Sequence, residues 1–145
     1  MTVYPSIPDL LPHSGRAILL DEVVSSDDDR MVCRVEIRPD SPFVKNGVVP
    51  AVVALEYMAQ TIGAHAGMRA RASGRLPRVG FLLGTRELTL AVDGFSVGDE
   101  ILVEALRVFG EEALGAFECT ARRAGVSVAK ATLNVYLPSS EDRLS

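Results

Sequence analysis

One acidic residue in an oily stretch is the first candidate for chemistry. Pro50 to Gly67 reads PAVVALEYMAQTIGAHAG, and Glu56 is its single carboxylate. A carboxylate carried into an apolar interior costs free energy unless it is paired or protonated, so a buried Glu56 is expected to hold its proton more tightly and to be able to donate it as a general acid. Gln60 follows at i+4 on the same helical face, where its amide can hold the carboxyl. Pro50 suits a first helical turn. The free N–H groups of Ala51 and Val52 would then point outward at the positive end of the helix, a place that polarises a carbonyl oxygen.

The chain has two histidines. His65 lies nine residues beyond Glu56, roughly 180° away around a helix of 3.6 residues per turn, so it reads as a packed residue. His13 sits in a turn-rich arm and is the better candidate base, against the alternative that it pins the arm by hydrogen bonds. Gly80, opening the stretch Gly80-Phe81-Leu82-Leu83-Gly84, permits close approach of a ligand arm or of a neighbouring backbone. Each site reading has a structural counterpart: an ordinary buried helix start, and a Glu56 that is partly exposed or paired with Arg16, Arg78 or Arg86.

The elements that must position these residues follow from periodicity and turn residues. Residues 1–16, with Pro5, Pro8 and Pro12, form an arm in which Asp9 to Leu11 can make one helical turn. Ala17 to Val24 reads as a strand, Ser25 to Asp29 as a turn, and Met31 to Arg38 as an alternating return strand. A loop over Pro39 to Gly47 leads into the long helix, which loses its apolar character at Arg69. The arginine-rich stretch from Arg69 to Arg78 reads as a solvated connector. Strands are expected near Val79–Val92, Glu100–Phe109, Leu114–Ala124 and Ser127–Leu137, and residues 139–145 as a polar tail. One helix among six strands points to a single α+β domain, an antiparallel sheet packed on the helix, with edges suited to pairing with a second copy.

Composition bounds the rest. The 145 residues are 48% hydrophobic and 23% charged, with net charge −4, which suits one soluble domain and gives a polyanion such as nucleic acid no invitation. Cys33 and Cys119 lie in strand-like runs without zinc spacing and read as reduced core residues. No signal peptide or membrane span is read, so the expected location is cytoplasmic.

Two segments resemble a known family. LLPHSGRAILLDEV is similar to the LPHR-P-FLLVDRV segment of hot-dog fold 3-hydroxyacyl-(acyl carrier protein) dehydratases, and PAVVALEYMAQTIG is similar to their PGVL-x-x-EAMAQ helix. The entry Asn46-Gly47-Val48-Val49-Pro50 resembles most closely the small dehydratase-like proteins of aryl-polyene pigment clusters. The resemblance implies a hot-dog: a long central helix wrapped by an antiparallel sheet and paired with a second hot-dog subunit as a homodimer or heterodimer.

It also implies a substrate carried on the 4'-phosphopantetheine arm of an acyl carrier protein, with no metal or redox cofactor. Glu56 falls on the family's acid and Ala51 on its oxyanion-binding backbone. The GHFPG loop, whose histidine takes the α-proton, is replaced here by Phe43 to Pro50 and holds no histidine. His13 is the provisional base. Two alternatives stand beside dehydration: a non-catalytic subunit supporting a histidine-bearing partner, and an acyl-thioesterase. The arginines at 69, 71, 75 and 78 are a possible landing place for the acidic carrier.

Overall fold

Alternation of apolar and charged residues builds the sheet. The computed structural model describes residues 2–12, 15–75, 80–111 and 113–137. Strand β1 (Glu22–Ser26) pairs antiparallel with β2 (Arg30–Glu36), and β2 pairs with the twelve-residue β6 (Glu100–Glu111). In β2, Met31, Cys33 and Val35 turn inward; in β6, Ile101, Val103 and Ala105 do the same. The intervening charges face out and pair across strands: Arg34 with Glu22 at 2.8 Å, and Glu104 with both Arg30 and Arg122.

β7 (Leu114–Arg123) and β8 (Val126–Tyr136) continue the sheet, joined by a tight turn in which Ala124 (φ 51°) and Gly125 (φ 79°) both take left-handed conformations. β4 (Phe81–Leu90) closes the far edge, giving the order β1-β2-β6-β7-β8-β4, antiparallel at every pairing. A separate ribbon pairs β3 (Val48–Pro50) with β5 (Gly94–Ser96).

The inner face of the sheet receives one long helix, α2 (Ala54–Ala72), whose Tyr57, Met58, Ile62 and Ala64 are buried in the same core as Phe117, Cys119, Ala131 and Leu133. Cys33 and Cys119 are free, 0% and 2% exposed, and burial pushes both thiols up to about 12. A short helix, α1 (Ile7–Leu10), packs its buried Ile7 and Leu10 on α2. No helix among the described residues is long and apolar enough to cross a membrane.

Several boundaries differ from the sequence reading. Pro50 ends a strand (ψ 139°) instead of opening the helix; a 3-10 turn over Ala51–Val53 intervenes, and α2 then runs on to Ala72. The extension beyond Arg69 is reasonable because Ala70 remains buried and Arg69 and Arg71 suit the negative helix end. Gly74 (φ 70°) and the Arg75 N–H, which donates to the Ala70 carbonyl at 2.7 Å, close the helix. Ala17 to Leu20 is not strand: Gly15–Ala17 forms a 3-10 turn and β1 starts at Glu22. The tail 139–145 lies outside the described residues.

Candidate active site

The entrance to α2 is held by the small ribbon. Pro50 pairs with Gly94, and a side chain at Gly94 would come within 2.7 Å of the Val49 carbonyl, so only glycine permits this approach. The Ala51 N–H donates to the Asp93 carbonyl at 3.0 Å. This corrects the expectation that Ala51 offers its N–H to a ligand: a loop carbonyl already occupies that donor. Val52 is 51% exposed and its N–H has no acceptor among the described hydrogen bonds, so the polarising end of the helix is left to Val52.

Glu56 corrects a second expectation. It is exposed, on a helix face that the chain's own sheet does not cover, and it makes no ion pair among the described residues. Val52 and Glu56 are one helical turn apart, so the open amide and the carboxylate share that uncovered face. The two groups face the same side: one donor for an oxygen, one carboxyl able to give or take a proton.

Gln60 does not hold Glu56. It is 5% exposed; its Nε2 donates to the Ala17 carbonyl at 2.6 Å and its Oε1 accepts the Leu19 N–H at 2.8 Å. The amide thus satisfies two backbone groups of a segment with no strand partner there, and fastens the arm to α2. Gln60→Leu fits the space but strands both groups, and should lower stability by about 1–2 kcal/mol. Chemical denaturation measures it; a midpoint equal to wild type would remove the clamp role.

His13 lies outside the described residues. His65 behaves as its spacing indicates: 2% exposed, its Nε2–H donating to the Asp28 carbonyl at 2.8 Å, its ring edge-on to Phe117 with centroids 5.7 Å apart. Burial holds its pKa below the ordinary 6.5, against the opposing pull of the Asp28 hydrogen bond. The unfolded chain therefore takes up this proton before the folded one does. Stability is full above about pH 6.5 and falls as the pH drops towards the lower folded pKa. Melting temperature followed from about pH 7 to pH 5 should fall less steeply in His65→Gln than in wild type.

Gly80 is exposed, and a Cβ there would lie 2.5 Å from Leu137 Cδ2, the movable tip of a side chain, with the nearest backbone atom, the Tyr136 carbonyl oxygen, at 3.6 Å. Sequence reasoning missed a more exacting pair. A Cβ at Gly67 would fall 1.9 Å from the Leu10 carbonyl oxygen, and one at Gly63 would fall 3.0 Å from Leu11 Cδ2. The Gly63-x-x-x-Gly67 spacing was the available signal: two small residues on one helical face let another backbone come close.

The profile of the ApeP-like family, described as ApeP dehydratase, matches residues 5–145. Among curated proteins, the 3-hydroxyacyl-[acyl-carrier-protein] dehydratase FabZ of Brucella ovis is 27% identical over 141 residues, covering 93% of this chain and 88% of that protein. FabZ of Brucella melitensis gives the same identity and coverage. Among solved structures, a chain of the dehydratase heterocomplex ApeI:P from Xenorhabdus doucetiae superposes with a TM-score of 0.91 at 28% identity, over 98% of this chain and 97% of that one. A hypothetical thioesterase with coenzyme A from Streptococcus pneumoniae matches at TM-score 0.64 and 13% identity over 81% and 85%, a likeness of fold alone. The α+β architecture, one long helix in one antiparallel sheet, is the hot-dog fold.

Proposed function

The chain belongs to the ApeP-like dehydratase family, and on that premise we propose that it takes part in removing water from 3-hydroxyacyl thioesters on an acyl carrier protein, in an aryl-polyene type pathway, as one half of a paired hot-dog assembly. The observation that carries this is the placement of Glu56 beside the open Val52 amide on a face its own sheet leaves bare. The thioester carbonyl takes the Val52 N–H, whose dipole stabilises the enolate-like oxygen as the α-proton leaves. Glu56 gives its proton to the departing hydroxyl. Water must be kept out for this to work, and a second subunit seated on the bare face supplies the closure.

The partner is expected to be a different hot-dog chain. The likeness to a chain of a dehydratase heterocomplex supports this. The long edge strand β4, which exposes Leu82, Leu83, Leu88 and Leu90, offers a free edge to a strand of any second subunit, the same or different. His13 remains the candidate base within this chain, and the pantetheine arm of the carrier brings the substrate. A second reading, a supporting subunit whose partner provides the base, is favoured by His65 being committed to the Asp28 carbonyl.

Incubating the purified chain, alone and with a co-encoded hot-dog subunit, with a 3-hydroxyacyl carrier protein tests both readings. Loss of one water by intact mass is the expected product, and free acid would indicate a thioesterase instead. Activity that needs the partner but survives His13→Ala assigns the base to the partner. No water loss in either preparation would overturn the dehydratase reading.

A further inference from the structure

The loop that leads to the entrance of α2 carries one of the chain's two asparagines, and a glycine follows it directly. Asn46 and Gly47 are both exposed, with φ of 54° and 78°. Two successive residues at positive φ, closed by a mutually bonded pair, make a two-residue type I′ turn. The closing pair is Lys45 and Val48. The Lys45 N–H donates to the Val48 carbonyl at 2.9 Å, and the Val48 N–H donates to the Lys45 carbonyl at 3.1 Å. The Gly47 carbonyl accepts the Val97 N–H at 3.0 Å. The peptide between them is free: neither the Asn46 carbonyl nor the Gly47 N–H takes part in any described hydrogen bond. A side chain built on Gly47 would meet nothing within 4 Å.

Turning that one peptide over converts the type I′ turn into type II′. The first central residue then has φ about 60° and ψ about −120°, so only ψ of Asn46 and φ of Gly47 change. Asn46 already holds the required φ, and glycine accepts its new one without steric cost. At that ψ the Gly47 nitrogen eclipses Cβ of Asn46, which puts it in position to close a five-membered ring on Cγ. The Lys45–Val48 and Gly47–Val97 bonds survive the turnover.

We propose that Asn46 is a site of spontaneous covalent modification in the folded protein, through a succinimide formed with Gly47. The Gly47 nitrogen gives up its proton and bonds to Asn46 Cγ; the Cγ–Nδ2 bond breaks, and ammonia leaves with that proton. Water then opens the ring at either carbonyl. One opening leaves aspartate at position 46, and the other leaves isoaspartate, whose main chain runs through Cβ. Each product adds one negative charge to a net charge of −4. The isoaspartyl form also lengthens a turn built for two residues, which loosens the Lys45–Val48 closure just before β3. Asn134 is the internal comparison. It lies inside β8, paired with Ala116 on one side and Gly84 on the other, and the β-branched Val135 follows it. Its peptide has no room to turn over.

Ageing the full-length chain at about pH 8, followed by peptide mass mapping, tests the proposal. Residue 46 should gain about 1 Da while Asn134 stays unchanged. The gain should be faster at about pH 9 than at about pH 7, because the nitrogen attacks only after losing its proton. Asn46→Gly, which suits the same turn, should keep the melting temperature and form no more acidic species. The chain held unfolded in urea sets the intrinsic rate. The folded chain should react within about a hundredfold of it, whereas a route through global unfolding would be slower by about 10³-fold or more. That suppression, no mass gain at residue 46, or an equal gain at Asn134 would overturn the proposal. None of these readings involves turnover, so the dehydratase reading is left to its own test.

Discussion

Replacing Glu56 by Gln should lower the rate of water loss from a 3-hydroxyacyl carrier protein by about 10²–10⁴-fold, the usual worth of a positioned general acid. Gln keeps the shape and hydrogen-bonding reach of the acid but has no proton to give to the hydroxyl. Because Glu56 is exposed and makes no ion pair among the described residues, the substitution should leave stability within about 0.5 kcal/mol. The measurement is turnover of the chain together with its hot-dog partner, with melting temperature as the control. If Glu56→Gln turns over within about threefold of wild type, the acid lies elsewhere.

The second large effect is on stability. Gly67→Ala should destabilise the fold by about 2–3 kcal/mol, although alanine is the better helix former by about 1 kcal/mol. The reason is that the new methyl group would fall 1.9 Å from the Leu10 carbonyl oxygen, and a backbone atom cannot swing aside as a side-chain tip can. α1 must lift from α2, uncovering Ile7 and Leu10, which are 1% and 0% exposed. For a chain of this size that corresponds to a fall in melting temperature of roughly 6–9 °C. Limited proteolysis of the arm should accelerate in parallel. A variant as stable as wild type, with the arm equally protected, would mean that α1 is not seated where the structure has it.

Much of this architecture was legible because it is written in short-range patterns. The alternation from Met31 to Ile37 fixes which face of β2 is buried, and Ala124-Gly125 marks the β7–β8 hairpin to the residue. His65 could be set aside by counting turns from Glu56. Other features depend on partners far away in sequence. Gln60 looks like a neighbour for Glu56 at i+4, yet its bonds are to Ala17 and Leu19, 43 and 41 residues away. The three-residue ribbon of β3 and β5 is too short to show a period, so Val48 to Pro50 read as a helix entry. Glu56 is the instructive case. A helix apolar nearly all round reads as wholly enclosed, but hydropathy does not say whether the enclosing surface belongs to the same chain.

The two buried cysteines give the protein an internal clock. With thiols at about 12, the reactive thiolate fraction at neutral pH is on the order of 10⁻⁵, and neither sulfur is reachable while the sheet stays closed around α2. An alkylating reagent can then modify the folded chain only at the rate at which it opens. Cys33 sits in β2 and Cys119 in β7, two strands apart in the sheet order, so mass spectrometry of partly labelled chains would time the exposure of each strand separately. Equal labelling times would mean that the sheet comes apart as one unit; a lead by Cys33 would mean that it peels from the β1 edge.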